Sequence, residues 1–322
     1  MTQDSRQIYT DFLSQNPASI FHQPWWLDAT CGPENWDVVF ARKKEHVIAA
    51  LPFFLKKGRL GQIILGQPPL TPFLGPVYSL GKARYARRLQ QEHAIFEELL
   101  RALPPYHIFH QCFSPDITNW LVFRWNGFHQ STNYTYRLHN IKNHESLWNE
   151  TEDNIRTDVR KAQNRFSLHI EQRDDIEDFL EIYAGTWKRQ GKKTPYTTLI
   201  RSIDAACASR SCRRMFFAVD EDGRSHAATF IIFDKNIAYY LLGGSNPELR
   251  KSGAHTFVVW ESIRMASEYV DTFDFEGSNI RSIEKNFRAF GAQQTPLFWL
   301  ERATPFFRKI MLLRDLITGP WK

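Results

Sequence analysis

The alternation of apolar and polar positions predicts an antiparallel hairpin early in the chain. Two strand-like segments, residues 36–41 and 47–54, flank a charged turn at residues 42–46, which is the pattern of two half-buried strands joined by a short loop. The next segment, residues 66–76, is apolar and broken by several prolines. Because proline fixes φ and has no N–H to donate, we expect a stiff loop there. Such a loop either lines a cleft or is a plain crossover.

Helical and strand periods alternate through the rest of the chain. In the first half they predict, in order, a helix, a strand, a short helix and a strand at residues 82–102, 106–110, 118–125 and 134–138. In the second half they predict three helices at residues 148–165, 176–189 and 196–208. An antiparallel meander of three strands is predicted next, at residues 214–219, 227–233 and 237–242.

The two halves follow a similar order of elements, which a duplicated α/β domain explains most simply. A polar, unpatterned stretch at residues 139–146 separates them. We therefore predict one domain over residues 1–142 and a second over residues 143–322, and we expect the second to hold the active cleft.

The composition of the chain limits the classes of protein to which it can belong. The 322 residues carry a net charge of +6, which favours an anionic partner, although DNA-binding tails are more strongly charged and we expect no DNA partner. There is no run of about 18 apolar residues and no basic segment leading into an apolar stretch at the start. The four cysteines form no C-x-x-C pair, so neither a zinc site nor a disulfide framework is indicated. We expect a cytoplasmic protein that uses no metal.

A loop that could bind an anion follows the last strand of the meander. The strand is predicted to stop at Gly243 and Gly244, and a helix is predicted over residues 255–269. Unpaired N–H groups and the positive end of the helix dipole converge at such a helix start. The candidate anion ligands are Gly243, Gly244, Arg250, Ser252, Gly253, Ala254 and His255. The alternative is an ordinary loop with a solvated Arg-Lys pair.

A second candidate cluster lies at residues 270–290. Strand alternation directs Phe273 and Phe275 to one face and Asp274 and Glu276 to the other. The helix that follows, residues 280–290, places basic side chains along one face, namely Arg281, Lys285 and Arg288. Either these charges form an ion-pair cluster at the strand end, or a carboxylate receives a proton from a substrate amine there.

The order of elements in the second half, with its R-x-x-G-A loop at residues 250–254, looks like the GNAT acyltransferase fold. In its duplicated form it resembles the FemAB-like (Fem-type) branch. Residues 154–162 (NIRTDVRKA) are similar to the R-x-x-I/V-R-K-A helix of that branch. The runs at residues 273–278 and 285–292 are similar to its closing D-F-x-G-S…K-x-x-F-G-A block. The resemblance covers most of the second half, and the first half matches by topology only.

The resemblance implies two tandem GNAT-like domains, each with a mixed, largely antiparallel sheet flanked by helices. It also implies transfer of an acyl group to the amine of a small-molecule or cell-envelope precursor, with acyl-CoA as the donor. A GNAT phosphate loop usually has a small residue where this chain has His255. That ring would hinder close approach of a pyrophosphate, unless the imidazole itself contacts phosphate.

The positions at the strand ends suggest a role for each group in this reaction. Backbone N–H groups at residues 242–244 would stabilise the oxyanion, and Tyr240 would protonate the leaving group. Asp274 or Glu276 would accept the proton of the amine. The substrate-binding side chains are then Arg156, Arg160, Lys285 and Arg288.

Two rival functions remain open. One is an aminoacyl-tRNA-dependent transferase acting on peptidoglycan precursors, with the basic helix face at Arg156, Arg160 and Arg165 contacting the RNA. The other is a non-catalytic GNAT-like binding protein that keeps only the cleft.

The C-terminal segment predicts an amphipathic helix that starts at Thr304 and Pro305. Its apolar stripe consists of Phe306, Ile310, Leu313 and Ile317. Basic residues flank this stripe, namely Arg302, Arg308, Lys309 and Arg314. The helix either docks on the body of the protein or contacts an anionic membrane peripherally, which would suit an enzyme acting on lipid-linked envelope precursors.

Overall fold

A computed structural model of the chain describes residues 3–277 and 279–318, with the backbone alone described at residues 3, 312 and 314–318. Ser278 of the closing motif and the side chains of Arg314 and Ile317 therefore lie outside the description.

In the first part of the chain the elements are α1 (Gln3–Gln15), α2 (Pro24–Cys31), β1 (Trp36–Lys43), β2 (His46–Lys57), β3 (Ile63–Gly66), β4 (Val77–Tyr78), α3 (Tyr85–Ala102), β5 (Ile108–Cys112), α4 (Leu121–Trp125) and β6 (His129–His139). They continue with α5 (His144–Glu150), α6 (Asp153–Phe166), β7 (His169–Arg173), α7 (Ile176–Lys188), α8 (Thr197–Ala208), β8 (Arg213–Val219), β9 (Ser225–Phe233) and β10 (Ile237–Ser245). The last are α9 (Ala254–Ala266), β11 (Thr272–Asp274), α10 (Arg281–Ala289), β12 (Gln293–Ala303) and α11 (Pro305–Thr318).

Contacts divide the chain into two compact units. The first unit takes the residues up to Asn133 together with those from Pro296 onward, and the second unit is Tyr134–Thr295. The chain thus crosses between units within β6 and returns within β12. This division differs from the boundary expected between residues 142 and 143, because the last strand and helix of the chain belong with the first unit.

The first unit is built on the strand order β1-β2-β3-β5-β12, with β4 paired to β2. All pairs are antiparallel except β3 with β5. The apolar positions Ile95, Phe96 and Leu99 of α3 recur at helical spacing and are buried in a core that also holds Phe109 and Phe123. Strands β3 and β4 are missing from the sequence prediction because they lie in segments broken by glycine and proline.

The second unit has the strand order β6-β11-β10-β9-β8-β7. The meander β8-β9-β10 is antiparallel as predicted, and β10 pairs with β11 in parallel. Helix α7 packs on the face of β9 that carries Phe230, through a ring contact with Phe179. Helix α9 lies on the opposite face, where the Ser262 hydroxyl is 2.7 Å from that of Thr229. The sheet of this unit therefore has a helix on each face, and the expected α/β fold with a largely antiparallel sheet is confirmed.

The single helix predicted over residues 148–165 is in fact two helices, α5 and α6. The chain leaves helical geometry at Thr151 and Glu152, whose backbones are extended. Thr151 is buried and its hydroxyl donates to the Trp148 carbonyl, which closes the last turn of α5. A short polar break of this kind leaves the hydrophobic period almost unchanged, so periodicity alone could not reveal it.

Candidate functional site

The two parallel strands of the second unit separate after a short pairing. Strand β11 pairs with β10 only over Ile237–Tyr239, whereas β10 continues to Ser245. Its register with β9 shifts between Tyr240 and Leu242. Beyond Tyr239 the backbone groups of β10 that point away from β9 face no described strand, and at the far end of this stretch the Ser245 N–H donates to the Thr186 hydroxyl. The sequence analysis ended this strand at Gly243, but Gly243 and Gly244 are paired within it, opposite Thr229 and Ala228.

Tyr240 and His255 meet beside this opening. The hydroxyl of Tyr240 lies 3.1 Å from Nε2 of His255, the second residue of α9. Gly243 makes room for this hydroxyl, because a side-chain carbon at residue 243 would overlap it. The space for the Tyr240 hydroxyl therefore depends on the absence of a side chain two residues after the bulge.

Burial sets the protonation of this pair. Desolvation, with a smaller contribution from the nearby charge of Arg250, lowers the pKa of His255 to about 4. Desolvation also raises the pKa of Tyr240, with a smaller contribution from Tyr183. At neutral pH the imidazole is therefore uncharged and the phenol keeps its proton, so the resting pair is neutral and a phenolate forms only if the proton is donated.

The predicted anion loop forms one turn of 3₁₀ helix, Arg250–Ser252, that leads into α9. Gly253 ends it with φ of +78°, and its backbone lies against the Asp158 carbonyl of α6, where no side chain would fit. The first-turn N–H groups of α9 have no partner within the helix. Arg250 is exposed and has no ion-pair partner among the described residues. These groups give the loop the donors and the charge that an anion requires.

Three buried side chains hold this loop in place. The Ser252 hydroxyl donates to the Leu249 carbonyl at 2.8 Å and lies 2.9 Å from Nδ1 of His226. Nε2 of His226 lies 3.0 Å from the carboxylate of Asp220, whose pKa is lowered by its hydrogen bonds to His226 and Arg224 although burial opposes this. Ser252 was expected to contact the ligand, but it is fully buried and acts on the loop instead. The sequence analysis missed Asp220 and His226, which lie in and beside the turn between two strands of the meander.

Asp274 does not reach the opening. Its side chain is fully buried, one oxygen is 2.7 Å from Nε of Arg137 in β6, and the other accepts hydrogen bonds from the Thr135 hydroxyl and the Glu276 N–H. Strand alternation placed it correctly on the face opposite Phe273, but that face is covered by β6 side chains. Asp274 therefore positions the strand end and is not free to accept a proton.

Glu276 has a different environment. It follows the end of β11 with φ of +58°, and one carboxylate oxygen is buried without a hydrogen-bond partner among the described residues. Burial raises the pKa of Glu276 well above its usual range, and the neighbouring charge of Asp274 adds to the effect. A strained backbone and an unpaired carboxylate are the features expected of a functional residue.

The remaining predicted side chains divide into engaged and free groups. Arg156 donates to the Trp148 and Thr151 carbonyls at the end of α5, so it stabilises that helix end and is not the free ligand that was expected. Arg288 forms ion pairs with Glu284 at 3.0 Å and Glu152 at 3.6 Å. Arg160 and Lys285 are exposed, and no described acidic residue pairs with either.

A family model described as an acetyltransferase (GNAT) domain matches residues 149–281. The match spans α6, the meander, the anion loop, α9 and β11, which are the elements that build the opening. The second unit contains a GNAT domain. The expected transferase class is thereby confirmed, while no curated protein matches the chain by sequence.

Solved structures extend the similarity to the whole chain. The crystal structure of FemX superposes with a TM-score of 0.66 at 15% identity, covering 91% of this chain and 95% of that one. A tandem GNAT protein from the clavulanic acid biosynthesis pathway gives a TM-score of 0.53 at 13% identity and covers 94% and 96%. The C-terminal domain of a putative lysylphosphatidylglycerol synthetase from Agrobacterium fabrum gives 0.56 at 13% identity and covers 98% and 96%. These likenesses confirm a Fem-like tandem GNAT fold.

The described residues contain no group of three or more His, Cys, Asp or Glu side chains placed to hold a metal ion. They also contain no helix that is both long and apolar enough to span a bilayer.

Proposed function

We propose that the GNAT domain transfers an acyl group from an acyl-CoA-type donor to the amine of a small-molecule or cell-envelope precursor. The observation that carries this proposal is the Tyr240–His255 pair, which links the open edge of β10 to the helix start that follows the anion loop. A proton donor is thereby held one helical turn or less from the groups that suit a phosphate.

The residues of the loop fit a phosphate-bearing donor. Arg250 would supply a full charge and the first turn of α9 its N–H groups. His255 departs from the small residue usual in GNAT loops, but its ring is half-buried and hydrogen-bonded to Tyr240. The ring is therefore held at Tyr240, and the phosphate would be received by the exposed Arg250 and the helix start. When bound, such a donor supplies an activated carbonyl carbon.

Three groups of the chain would act on the reacting atoms. The N–H group of Leu242 or Gly243 that points away from β9 stabilises the oxyanion as the amine nitrogen bonds to the carbonyl carbon. Glu276 takes the proton that the attacking nitrogen loses, and its raised pKa makes it a stronger base than an ordinary carboxylate. Tyr240 gives its proton to the departing sulfur or oxygen as the bond to that atom breaks.

The experiment compares two neighbouring cations of the same loop. Arg250 acts on His255 electrostatically, whereas Lys251 is an exposed neighbour without that relation. The pure chain is incubated with mixed CoA thioesters, and ligand-induced thermal stabilisation is followed. We expect a rise in melting temperature that Arg250→Ala abolishes and Lys251→Ala preserves. Acylated amines are then sought by mass spectrometry; no stabilisation by any thioester would contradict this donor.

A second candidate donor is an aminoacyl-tRNA, with a peptidoglycan precursor as the acceptor. The observation that favours it is the exposed face of α6, where Arg160 and Arg165 have no ion-pair partner among the described residues. Charged tRNA should then stabilise the chain in the same assay, with an affinity that falls steeply as salt rises. Replacing both arginines by serine should weaken tRNA binding and leave thioester binding unchanged.

We also propose that the protein works in the cytoplasm at the inner face of the membrane. This location would give the acceptor amine of a lipid-linked precursor access to the GNAT domain. The surface that carries this part of the proposal lies in the first unit.

A further inference from the structure

One end of the sheet in the first unit collects four chain segments. The registers set Lys57 of β2 opposite Ile63 of β3, Ile64 opposite Ile108 of β5, and Ile108 opposite Ala303 of β12. The end of β2 and the end of β12 therefore lie at the same edge, three strand spacings or about 15 Å apart. The β2–β3 hairpin tip and the start of α11 both project from this edge.

Hydrogen bonds join these segments directly. The His107 N–H donates to the Ile63 carbonyl and the Thr304 N–H donates to the His107 carbonyl, each at 2.9 Å. The Ile63 N–H donates to Nδ1 of His107. Helix α11 is anchored here through Phe307, which is buried with its ring centroid 5.2 Å from that of His107.

The hairpin tip is an ordered turn that exposes an apolar side chain. Gln62 folds back across it, because its side-chain oxygen accepts the Leu60 N–H at 2.9 Å and its carbonyl accepts the Gly58 N–H at 2.8 Å. Leu60 nevertheless remains 66% exposed at the apex. A single exposed leucine is ordinary by itself, so its meaning here depends on the side chains that share this edge of the sheet.

Helix α11 presents a second apolar edge. Phe306 is 65% exposed and Leu313, two helical turns later, is 59% exposed. Residues seven apart lie on the same helix face, and Lys309 lies between them on that face. Of the expected apolar stripe, Phe306 and Leu313 face outward and Ile310 is half-buried, whereas the helix docks through Phe307, which was not part of that stripe. The helix is thus docked on the first unit through Phe307, while its contact with a membrane stays a prediction.

Cations surround these apolar side chains. The exposed basic residues at this edge are Lys56, Lys57, Arg59, Arg302, Arg308 and Lys309, and no described acidic side chain forms an ion pair with any of them. The nearest described acid along β12 is Glu301, two residues in from the strand end. We call the hairpin tip Lys56–Leu60 together with Phe306, Arg308, Lys309 and Leu313 the basic edge.

We propose that the basic edge docks on the surface of an anionic phospholipid bilayer, with Leu60 and Phe306 inserted among the lipid headgroups. The apolar groups are separate projections and do not form the continuous packed centre that a specific protein interface needs. Isolated apolar side chains ringed by Lys and Arg suit a soft, negatively charged interface. This inference goes beyond the proposed acyl transfer and does not depend on it, because the basic edge lies outside the GNAT domain.

The test is flotation of the full chain with vesicles of phosphatidylcholine alone or of phosphatidylcholine with phosphatidylglycerol, without donor or acceptor. We expect binding to the mixed vesicles only, and weaker binding as salt rises. Lys57→Ser with Arg59→Ser should weaken binding by about fivefold for each cation removed. Leu60→Ser with Phe306→Ser should weaken it further at high salt, where the apolar contribution dominates.

Matched controls separate the basic edge from the general positive charge of the chain. Lys43→Ser with Lys44→Asn removes two exposed cations at the opposite end of β2, and Tyr85→Ser removes a side chain that is 72% exposed on α3. Both controls should bind mixed vesicles as the wild type does. If Phe306→Ser lowers the melting temperature, Leu60→Ser alone is used to test the apolar contribution to vesicle binding. The fold of the hairpin tip does not depend on Leu60, because Gln62 holds the turn.

Three results would overturn the proposal. One is equal or absent binding to the two kinds of vesicle. Another is an equal loss in the Lys43/Lys44 variant. The third is a loss of tRNA binding in the Lys57/Arg59 variant with vesicle binding intact, which would assign the edge to nucleic acid. Transfer between soluble substrates should be unchanged in every basic-edge variant, so a failure of acyl transfer would be seen separately.

Discussion

The Tyr240 hydroxyl lies 3.1 Å from Nε2 of His255, in space that Gly243 leaves open. The two residues are 15 positions apart in the chain. Their contact joins the bulged edge of β10 to the first turn of α9, so a change at either element is transmitted to the other. The proposed proton donor and the proposed anion loop are therefore one structural unit.

Gly243→Ala tests that unit through space alone. A methyl group at residue 243 would overlap the Tyr240 hydroxyl, and the ring would have to leave His255. We expect the transfer rate to fall by about 10²- to 10⁴-fold, the range for loss of a general acid. Tyr240→Phe should lower the transfer rate by a similar factor. Single-turnover kinetics with a thioester that stabilises the wild-type chain would measure both variants.

Gly81→Ala is the matched control, because nothing lies within 4 Å of a side-chain carbon built at residue 81. It should keep the wild-type rate. A Gly243→Ala variant with full activity beside an inactive Tyr240→Phe variant would show that the hydroxyl acts from another position.

His255 predicts a specific pH dependence of stability. Its folded-state pKa is about 4, below the ordinary value of about 6.5, so the unfolded chain binds the proton first. The stabilisation is complete above about pH 6.5 and is lost as the pH falls toward 4. In the wild type, roughly 1 to 3 kcal/mol of the free energy of unfolding should be lost through His255 as the pH falls, and His255→Gln should not show this loss. Urea unfolding at pH 7 and pH 4.5 measures the difference. If the free energy of unfolding changed equally with pH in the wild type and in His255→Gln, the assignment of a neutral, desolvated imidazole would be wrong.

Much of the second unit could be predicted from its sequence. The meander is bounded by turn residues at Asp220–Arg224 and Asp234–Asn236, and each strand is a long apolar run. The anion loop was found because Gly253 and Arg250 directly precede a helical period. These signals are local, since a strand, a turn and a helix start each depend on neighbouring residues.

The environment of each carboxylate depends on residues that are distant in the sequence, so it could not be predicted. Asp274 and Glu276 have the same alternation, yet Arg137 pairs with the first and no described group pairs with the second. Arg137 lies 137 positions before Asp274, and only the pairing of β6 with β11 brings them together. Sequence reasoning placed both carboxylates at the strand end and could not tell the structural one from the free one.

Arg156 and Arg160 should separate a structural from a binding role on one helix. Arg156 donates to two carbonyls at the end of α5, so Arg156→Ala should lower the free energy of unfolding by about 1 to 3 kcal/mol. Arg160 is exposed, and among the described residues its guanidinium lies over the Trp148 ring, 5.8 Å from the ring centroid. Arg160→Ala should change the free energy of unfolding by less than about 0.5 kcal/mol.

Urea unfolding of the two variants measures this difference directly. Equal effects of the two substitutions would show that the carbonyl contacts of Arg156 contribute nothing to the end of α5.

Asp274→Asn should destabilise the protein because it leaves the buried Arg137 guanidinium without a counter-charge. The expected loss is about 3 to 5 kcal/mol. Arg137→Met should cost a similar amount, and the double variant should cost clearly less than the sum of the two. If Asp274→Asn instead keeps full stability and abolishes transfer, Asp274 is the base after all.

Glu276→Gln should have opposite effects on stability and on activity. The raised pKa means that the folded chain holds the Glu276 proton more tightly than the unfolded chain. Stability therefore falls as the pH rises from about 4.3, the ordinary value for a glutamate, toward the folded-state pKa. Glutamine carries no charge to desolvate, so the variant should be more stable than the wild type at pH 7 and its stability should vary less with pH.

The same substitution should lower the transfer rate by about 10²- to 10⁴-fold, since an amide accepts no proton. Glu284→Gln is the control, because Glu284 on α10 is paired with Arg288 at 3.0 Å and should keep the wild-type rate. A gain in stability together with a loss of rate is the mark of a residue kept in an unfavourable environment for function. If Glu276→Gln is more stable and still fully active, the amine loses its proton to another acceptor, and the GNAT domain works by holding donor and acceptor in register.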